Sequence, residues 1–321
     1  MPIRPNVVTP FLKWAGGKRQ LLTALRAWYP REFQRYIEPF VGSGAVFFDL
    51  YSSGALDGRQ AWLLDDNKDL VGCYRMVRNH TEAVISELET LAAGHRARGE
   101  AHYYEVRDEH FNPSRAAGGG YTPELAAMLI YLNRTGFNGL FRLNRRGEFN
   151  VPAGRYVNPR MCDAERLRAV AAVLREPGVV LEQGSFEQPL AAAGEGDFVY
   201  CDPPYAPLSK TASFANYTAQ GFSDDDQRRL QKAVIGAVRR GAFVVVSNSS
   251  APGVRQLYSC REARSAGLVV SSVLARRAIN SSARQRGPVA ELVATNVRLG
   301  RQNVPIRMLP ASARPALRRR A

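Results

Sequence analysis

Tyr36-Ile37-Glu38-Pro39-Phe40-Val41-Gly42-Ser43-Gly44-Ala45-Val46 reads as the end of a buried strand, a tight glycine turn and the start of a helix. Gly42 and Gly44 let the backbone turn sharply and approach a ligand closely. The dinucleotide fingerprint requires a third glycine at position 47, where this chain has Phe47. That departure argues against a pyrophosphate and suits a nucleoside-type cofactor. A purely structural turn explains Gly-x-Gly equally well, so the next acid is needed to separate the two. Asp65 stands 21 residues beyond Gly44, at the end of the next apolar run. In doubly wound sheets an acid there accepts hydrogen bonds from ribose hydroxyls. Asp66 could trade roles with it, and Asp66 or Asn67 suits the cap of the following helix.

Working outward, short apolar runs bounded by turn residues occur at 35–38, 61–64, 179–181, 198–200 and 243–246. Helical periodicity fills 18–29, 46–53, 69–91, 123–133, 163–174 and 224–240, the last opened by a capping box of Ser223 and Asp226. The alternation predicts an α/β fold with a mostly parallel sheet. From 65 to 179 no strong strand appears, too long a gap for one strand-to-helix connection. We therefore expect a discontinuous main domain, 10–70 and 176–298, interrupted by a mainly helical inserted domain at 71–175. The insertion contains a Gly/Asn/Arg-rich hairpin at about 133–156. Residues 269–275 and 289–297 read as two further strands. Residues 299–321, with three prolines and six arginines, read as a flexible basic tail.

Of 321 residues, 45% are hydrophobic and 23% charged, an ordinary globular balance that excludes wholesale disorder. The net charge of +15 points to a polyanionic partner. Residues 255–321 hold 14 arginines against Glu262 and Glu291, which supplies +12 of the total and favours phosphate contact. No run of about 18 apolar residues exists, so no membrane span is expected. The N-terminus lacks the apolar core of a signal peptide. Cys73, Cys162, Cys201 and Cys260 form no CxxC pair, and His80, His95, His102 and His110 form no ligand-spaced pair. Reduced cytosolic thiols and no metal site are the expectation. The Lys13-Trp14-Ala15-Gly16-Gly17-Lys18 stretch fails as a phosphate loop, because Arg19 replaces the hydroxyl residue that would hold magnesium. Its lysine and aromatic beside a glycine turn still suit a small carboxylate ligand.

Phe198-Val199-Tyr200-Cys201-Asp202-Pro203-Pro204-Tyr205 is the most specific element. Two prolines stop the strand and fix the backbone. They leave the Pro204 carbonyl as a free acceptor and hold Asp202 and Tyr205 at the strand's carboxyl end, where ligands bind in open α/β sheets. The exocyclic amine of adenine is a poor nucleophile because its lone pair is delocalised into the ring. Two acceptors, the Asp202 carboxylate and a backbone carbonyl, can take its two hydrogens and aim the lone pair at an electrophile. Tyr205 can stack on the base, which must first leave the duplex.

Together these motifs resemble the Dam-type, D12-class DNA adenine-N6 methyltransferases. The resemblance runs through Lys13–Lys18, Glu38–Gly44, Asp65-Asp66-Asn67 and Asp202–Tyr205. It continues in Leu132-Asn133-Arg134-Thr135-Gly136-Phe137-Asn138-Gly139-Leu140-Phe141-Arg142, in Gly147–Tyr156, and in Arg277-Ala278-Ile279-Asn280 leading to Glu291-Leu292-Val293-Ala294. It covers roughly residues 10–297. It implies a Rossmann-like S-adenosylmethionine-dependent methyltransferase sheet with an antiparallel final strand, and an inserted target-recognition domain. It implies S-adenosyl-L-methionine as methyl donor, no metal, and double-stranded DNA as partner. By position, Trp14 and Lys18 would line the cofactor's methionine side and Asp65 its ribose. Glu38, Phe40, Gly42, Gly44, Phe186 and Asp202 complete the cofactor site. Asp202, Pro203, Pro204 and Tyr205 form the catalytic element. Arg134, Asn138, Asn144, Arg145, Arg146, Lys210 and Asn216 are the expected DNA contacts, with Asn144-Arg145-Arg146-Gly147 as a hairpin tip able to read guanine.

Members with this hairpin often methylate GATC, and that is the expected target. Ser185 departs from the pattern, since the family often has an acid before the aromatic, here Phe186. Two rival readings stay open: methylation of cytosine N4 or an RNA adenine, and a DNA-binding protein that has lost catalysis. A monomer, with dimerisation on DNA left open, and a cytoplasmic, bacterial or phage-type setting complete the expectation.

Overall fold

The computed structural model describes residues 7–14, 16, 18–206, 222–276 and 288–298. They build one seven-stranded sheet from β1 (Arg35–Glu38), β2 (Gln60–Asp65), β3 (Val179–Gln183), β4 (Asp197–Cys201), β5 (Phe243–Ser249), β6 (Val269–Arg276) and β7 (Pro288–Thr295). The order is β3-β2-β1-β4-β5-β7-β6. The first five strands pair in parallel, and β7 runs antiparallel between β5 and β6. The fold is therefore the expected α/β sheet with an antiparallel final strand. The chain moves outward from β1 to β3, then returns to place β4 on the other side of β1. This reversal opens a crevice at the carboxyl ends of β1 and β4.

The central strands alternate between two apolar layers. Tyr36, Phe198, Tyr200 and Val245 belong to one, while Ile37, Val199, Cys201, Val244 and Val246 belong to the other. Strands buried on both faces explain the continuous apolar runs. All five residues of β4 are buried. Arg35 pins its start, forking onto Asp197 at 3.0 and 2.8 Å.

Between β2 and β3 the chain is helical: Lys68–Asn79, Thr81–Arg98, Glu100–Glu105, a π-helical turn Val106–Phe111, Asn112–Ala116, Pro123–Thr135 and Ala164–Leu174. Its buried side chains, Tyr74, Leu88 and Tyr131 among them, join the same cluster as Tyr36 and Phe198. The periodic stretch 69–91 is two helices, divided at His80 (φ −132°, ψ 43°). Asn67 caps the first, accepting from the N–H of Asp69 and Leu70. Stretch 18–29 is also broken, into Lys18–Gln20, Leu22–Leu25 and Arg26–Trp28. Lys18, Leu25 and Trp28 are all drawn inward, and tertiary packing overrides the helical period. The capping box at Ser223 opens helix Asp224–Arg239.

The stretch 133–156 holds no regular strand, only isolated antiparallel bridges Gly136–Ala153 and Leu143–Phe149. Asn133 docks it to the sheet side: its amide accepts from the Lys13 N–H (2.8 Å) and donates to the Lys13 and Gly139 carbonyls (2.6 and 2.8 Å). Among the described residues no helix is long and apolar enough to cross a membrane. The basic tail 299–321 and the 277–280 motif lie outside the described residues.

Candidate active site

A cavity of about 700 Å³ occupies the crevice at the ends of β1, β2 and β4. Although the chain is strongly basic, this wall is acidic. Glu38, Asp65, Asp66, Asp202 and Asp226 face it against two bases, Lys18 and Arg229.

The glycine turn forms one wall. Gly42 adopts φ +47°, and a Cβ there would approach the Trp14 ring to 3.1 Å. Its N–H donates to Asp65 Oδ2 at 3.0 Å, while Asp65 Oδ1 accepts from the Asn67 N–H at 3.0 Å. The acid thus ties strand end to glycine turn and keeps lone pairs for a ligand. Burial pushes its carboxyl up to about 6, against the pull of these two N–H groups. Glu38 is buried deeper, and loss of solvation drives its carboxyl well above the usual range despite the hydroxyl of Tyr36 donating at 2.9 Å. Trp14, Lys18, Glu38, Phe40, Gly42, Asp65, Phe186 and Asp202 all line the cavity; Gly44 does not. It starts helix Ala45–Ser52 at φ +66°, where a Cβ would press on Phe48 (3.0 Å) and the Tyr74 hydroxyl (3.2 Å). Its need for glycine is internal, which spacing alone could not separate from ligand contact.

The Asp202-Pro203-Pro204-Tyr205 element forms the opposite wall. Lys18 Nζ lies 2.8 Å from Asp202 Oδ1, 3.9 Å from Glu291 Oε2 and 4.6 Å from the centre of the Tyr205 ring. Burial raises the Asp202 carboxyl to about 6, and the Lys18 ammonium restrains that rise. The Tyr205 hydroxyl donates to Glu291 Oε2 at 2.6 Å and lies 3.3 Å from Ser247 Oγ. The Pro204 carbonyl is not free, because Gln227 Nε2 donates to it at 3.1 Å. A carbonyl has two lone pairs, so one remains. Gln227 had no sequence signal beyond its place one turn after Ser223. Glu291 is 86 residues from Tyr205 and meets it only through β7.

At the far end, Phe40 stacks on Phe186 (ring centres 5.5 Å, 28°), and Phe222 meets Phe40 edge-on. Ser185 hydrogen-bonds Glu187, which also pairs with Arg229 at 2.8 Å. The carboxylate missing at 185 therefore has a neighbour two residues on, committed to Ser185 and Arg229.

Of the expected DNA contacts, Arg134, Asn138, Asn144, Arg145 and Arg146 lie off the cavity. Arg134 turns inward to the Phe11 carbonyl, and desolvation lowers the pKa of its guanidinium. Asn138 holds the left-handed conformation (φ 55°) of a tight turn. Asn144 Oδ1 accepts from the N–H of Arg146 (2.9 Å) and Glu148 (3.0 Å), so its side chain shapes the turn. Arg145 and Arg146 are exposed. Lys210 and Asn216 lie outside the described residues. Among the described residues no group of three His, Cys, Asp or Glu side chains is placed to hold a metal ion.

Comparison with known proteins matches residues 14–270 to the D12 class N6 adenine-specific DNA methyltransferase family. The Type II methyltransferase M.MjaIII of Methanocaldococcus jannaschii is 39% identical over 290 residues, covering 87% of this chain and 95% of its own. The DNA adenine methylase of Escherichia coli K12 is 37% identical over 284 residues, 88% of this chain and 94% of its own. The Type II methyltransferase M1.LlaDCHI of Lactococcus lactis is 36% identical over 289 residues, 89% and 95%. With the glycine turn, the strand-end acid and the Asp-Pro-Pro-Tyr element gathered on one crevice, this chain belongs to the D12 class of N6 adenine-specific DNA methyltransferases, enzymes that methylate adenine in DNA.

Proposed function

We propose that this enzyme uses S-adenosyl-L-methionine to methylate N6 of an adenine flipped out of duplex DNA, within GATC. The observation that carries the chemistry is that the Asp202 carboxylate and the Pro204 peptide share one wall of the acidic cavity. The residues present suit the donor. With Glu38 held neutral by burial, four further acids still outnumber Lys18 and Arg229 on the cavity wall of a chain of net charge +15, an environment that favours a cationic ligand. Asp65 is placed for ribose hydroxyls, Phe40 and Phe186 for a flat base, and Trp14 packs on the Gly42 cradle. When bound, S-adenosylmethionine supplies an electrophilic methyl group on a positively charged sulfur.

The chain's own residues do the rest. Asp202 accepts one hydrogen of the adenine amine, and the open lone pair of the Pro204 carbonyl accepts the other. The nitrogen lone pair is thereby turned out of conjugation toward the methyl group. Asp202, titrating at about 6, is suited to hold the proton that N6 releases. Tyr205 stacks on the flipped base, and Lys18 holds Asp202 in place. The 71–175 segment acts as the target-recognition unit, with Arg145 and Arg146 reaching the major groove.

The test is methyl transfer from labelled S-adenosylmethionine to duplexes containing GATC, to scrambled duplexes and to single strands, with product nucleosides identified. N6-methyladenine confined to GATC duplexes is expected. Label spread over many sequences would remove the target assignment, and label in N4-methylcytosine would remove the base assignment.

A further inference from the structure

β5 ends in a polar run, Ser247-Asn248-Ser249, after Val244-Val245-Val246. Two of these side chains meet the segment 204–206 directly, and the third is linked to it through Gln227. Ser247 meets the Tyr205 hydroxyl, Ser249 Oγ donates to the Ala206 carbonyl at 2.8 Å, and Asn248 reaches Pro204 through Gln227. The last path has a direction. The Ser249 N–H donates to Asn248 Oδ1 (2.7 Å), Asn248 Nδ2 donates to Gln227 Oε1 (3.0 Å), and Gln227 Nε2 donates to the Pro204 carbonyl (3.1 Å). A backbone N–H can only donate, so each amide downstream is fixed in one orientation. Gln227 is 2% exposed and Asn248 fully buried, so bulk solvent does not reach these groups.

The reacting loop needs such support. Pro203 and Pro204 carry no N–H, so this part of the loop cannot be pinned through its own donors. An outside donor on one lone pair of the Pro204 oxygen sets the peptide plane and aims the other lone pair. We infer that Gln227 and Asn248 are positioning residues that orient the Pro204 carbonyl toward the target amine. This rests on the role proposed above for Pro204, and the experiment separates the two.

Single-turnover N6-methyladenine formation, S-adenosylmethionine binding by calorimetry and thermal melting are measured for wild type, Asp202→Ala, Gln227→Met, Asn248→Asp and Gln227→Glu. Asn248→Asp is nearly isosteric, yet its carboxylate only accepts. Gln227 must then flip and set its oxygen against the Pro204 oxygen. A rate loss of about 10- to 100-fold is expected for Asn248→Asp and Gln227→Met, as for a displaced reacting group, with cofactor affinity unchanged and melting lowered, because each variant leaves a buried polar group without its partner. Gln227→Glu should be slow at pH 8 and recover relative to wild type as pH falls, because a proton on the introduced carboxyl restores the donor. A merely structural role would not give that pH-dependent ratio. Wild-type rates in all three variants beside an inactive Asp202→Ala would overturn the inference and leave the function standing. Parallel loss of cofactor binding and melting, with no pH recovery, would also overturn it. Absence of N6-methyladenine from wild type would overturn the function and this inference together.

Discussion

At the ends of β1, β2 and β4, polar side chains hold one another: Asp65 ties Gly42 to Asn67, Lys18 sits between Asp202 and Glu291, and Gln227 holds the Pro204 carbonyl. The turn at 144–148 spends its bonds differently. Asn144 shapes its own backbone and Arg115 grips the Gly147 carbonyl, while Arg145 and Arg146 project into solvent. The contrast fits the roles proposed for the two regions. Chemistry requires reacting groups held to a fraction of an ångström by locked neighbours. Contact with DNA requires long cationic side chains on a fixed base, free to meet phosphates and base edges.

The strongest test of this contrast cuts the link between the two regions. Arg115 forks onto Asp69 at 2.8 and 2.7 Å and donates a third bond to the Gly147 carbonyl at 2.7 Å, with both side chains almost fully buried. Arg115→Met leaves a buried carboxylate unpaired and should cost about 3–5 kcal/mol of stability in urea unfolding. A loss below about 1 kcal/mol would mean that the turn is not anchored to helix Lys68–Asn79.

Next in size is the pH response of the rigid edge. Asp202 must be ionised to accept from the amine, so kcat/KM should fall about tenfold per unit as pH drops below about 6. Lys18→Met removes the cation that restrains this carboxyl, so the fall should begin at higher pH. The stability sign is opposite to that of an ordinary ion-paired acid. The folded state holds the Asp202 proton more tightly than the unfolded chain, whose carboxyl keeps its ordinary 3.8, so this group's contribution to stability declines as pH rises from there to about 6. Asp202→Asn should therefore gain stability relative to wild type across that window and level off above it. A flat difference across pH 4–7 in thermal melts would contradict the burial argument.

Smaller effects belong to the exposed turn. Arg145→Ala and Arg146→Ala should each weaken duplex binding by about 1–3 kcal/mol if they read bases, with S-adenosylmethionine affinity unchanged. Equal loss on all sequences, with a shallower salt dependence, would reassign them to phosphates. The smallest is Ser223→Ala. It breaks the capping box of helix Asp224–Arg239 and should cost about 1 kcal/mol in melting experiments.

The sheet was legible because its determinants are local. The runs Tyr36-Ile37, Phe198-Val199-Tyr200 and Val244-Val245-Val246 alternate between two buried layers, and Ser223 with Asp226 announces a helix start within four residues. Helix breaks were less legible. Nothing local marks His80 as a division, and the turn at Lys18 tightens because its ammonium is drawn to Asp202, 184 residues away. The same distinction runs through the site. Gly42 and Asp65 betray themselves by spacing within one strand-turn-helix-strand unit. Gln227, Asn248 and Glu291 come from three further elements and converge only once the sheet has formed. Arg134 shows the reverse case: an arginine in a basic, glycine-rich stretch suggests DNA contact, and nothing local announces its bond to the Phe11 carbonyl.

The role proposed for Asp202 is to activate the adenine amine rather than merely to shape the cavity. Its most direct test is single-turnover methyl transfer to a GATC duplex by Asp202→Ala and wild type, both saturated with S-adenosylmethionine. Bound cofactor is expected in both proteins, with a rate at least about 100- to 1000-fold lower in the variant. Wild-type rates of N6-methyladenine formation from Asp202→Ala would contradict it.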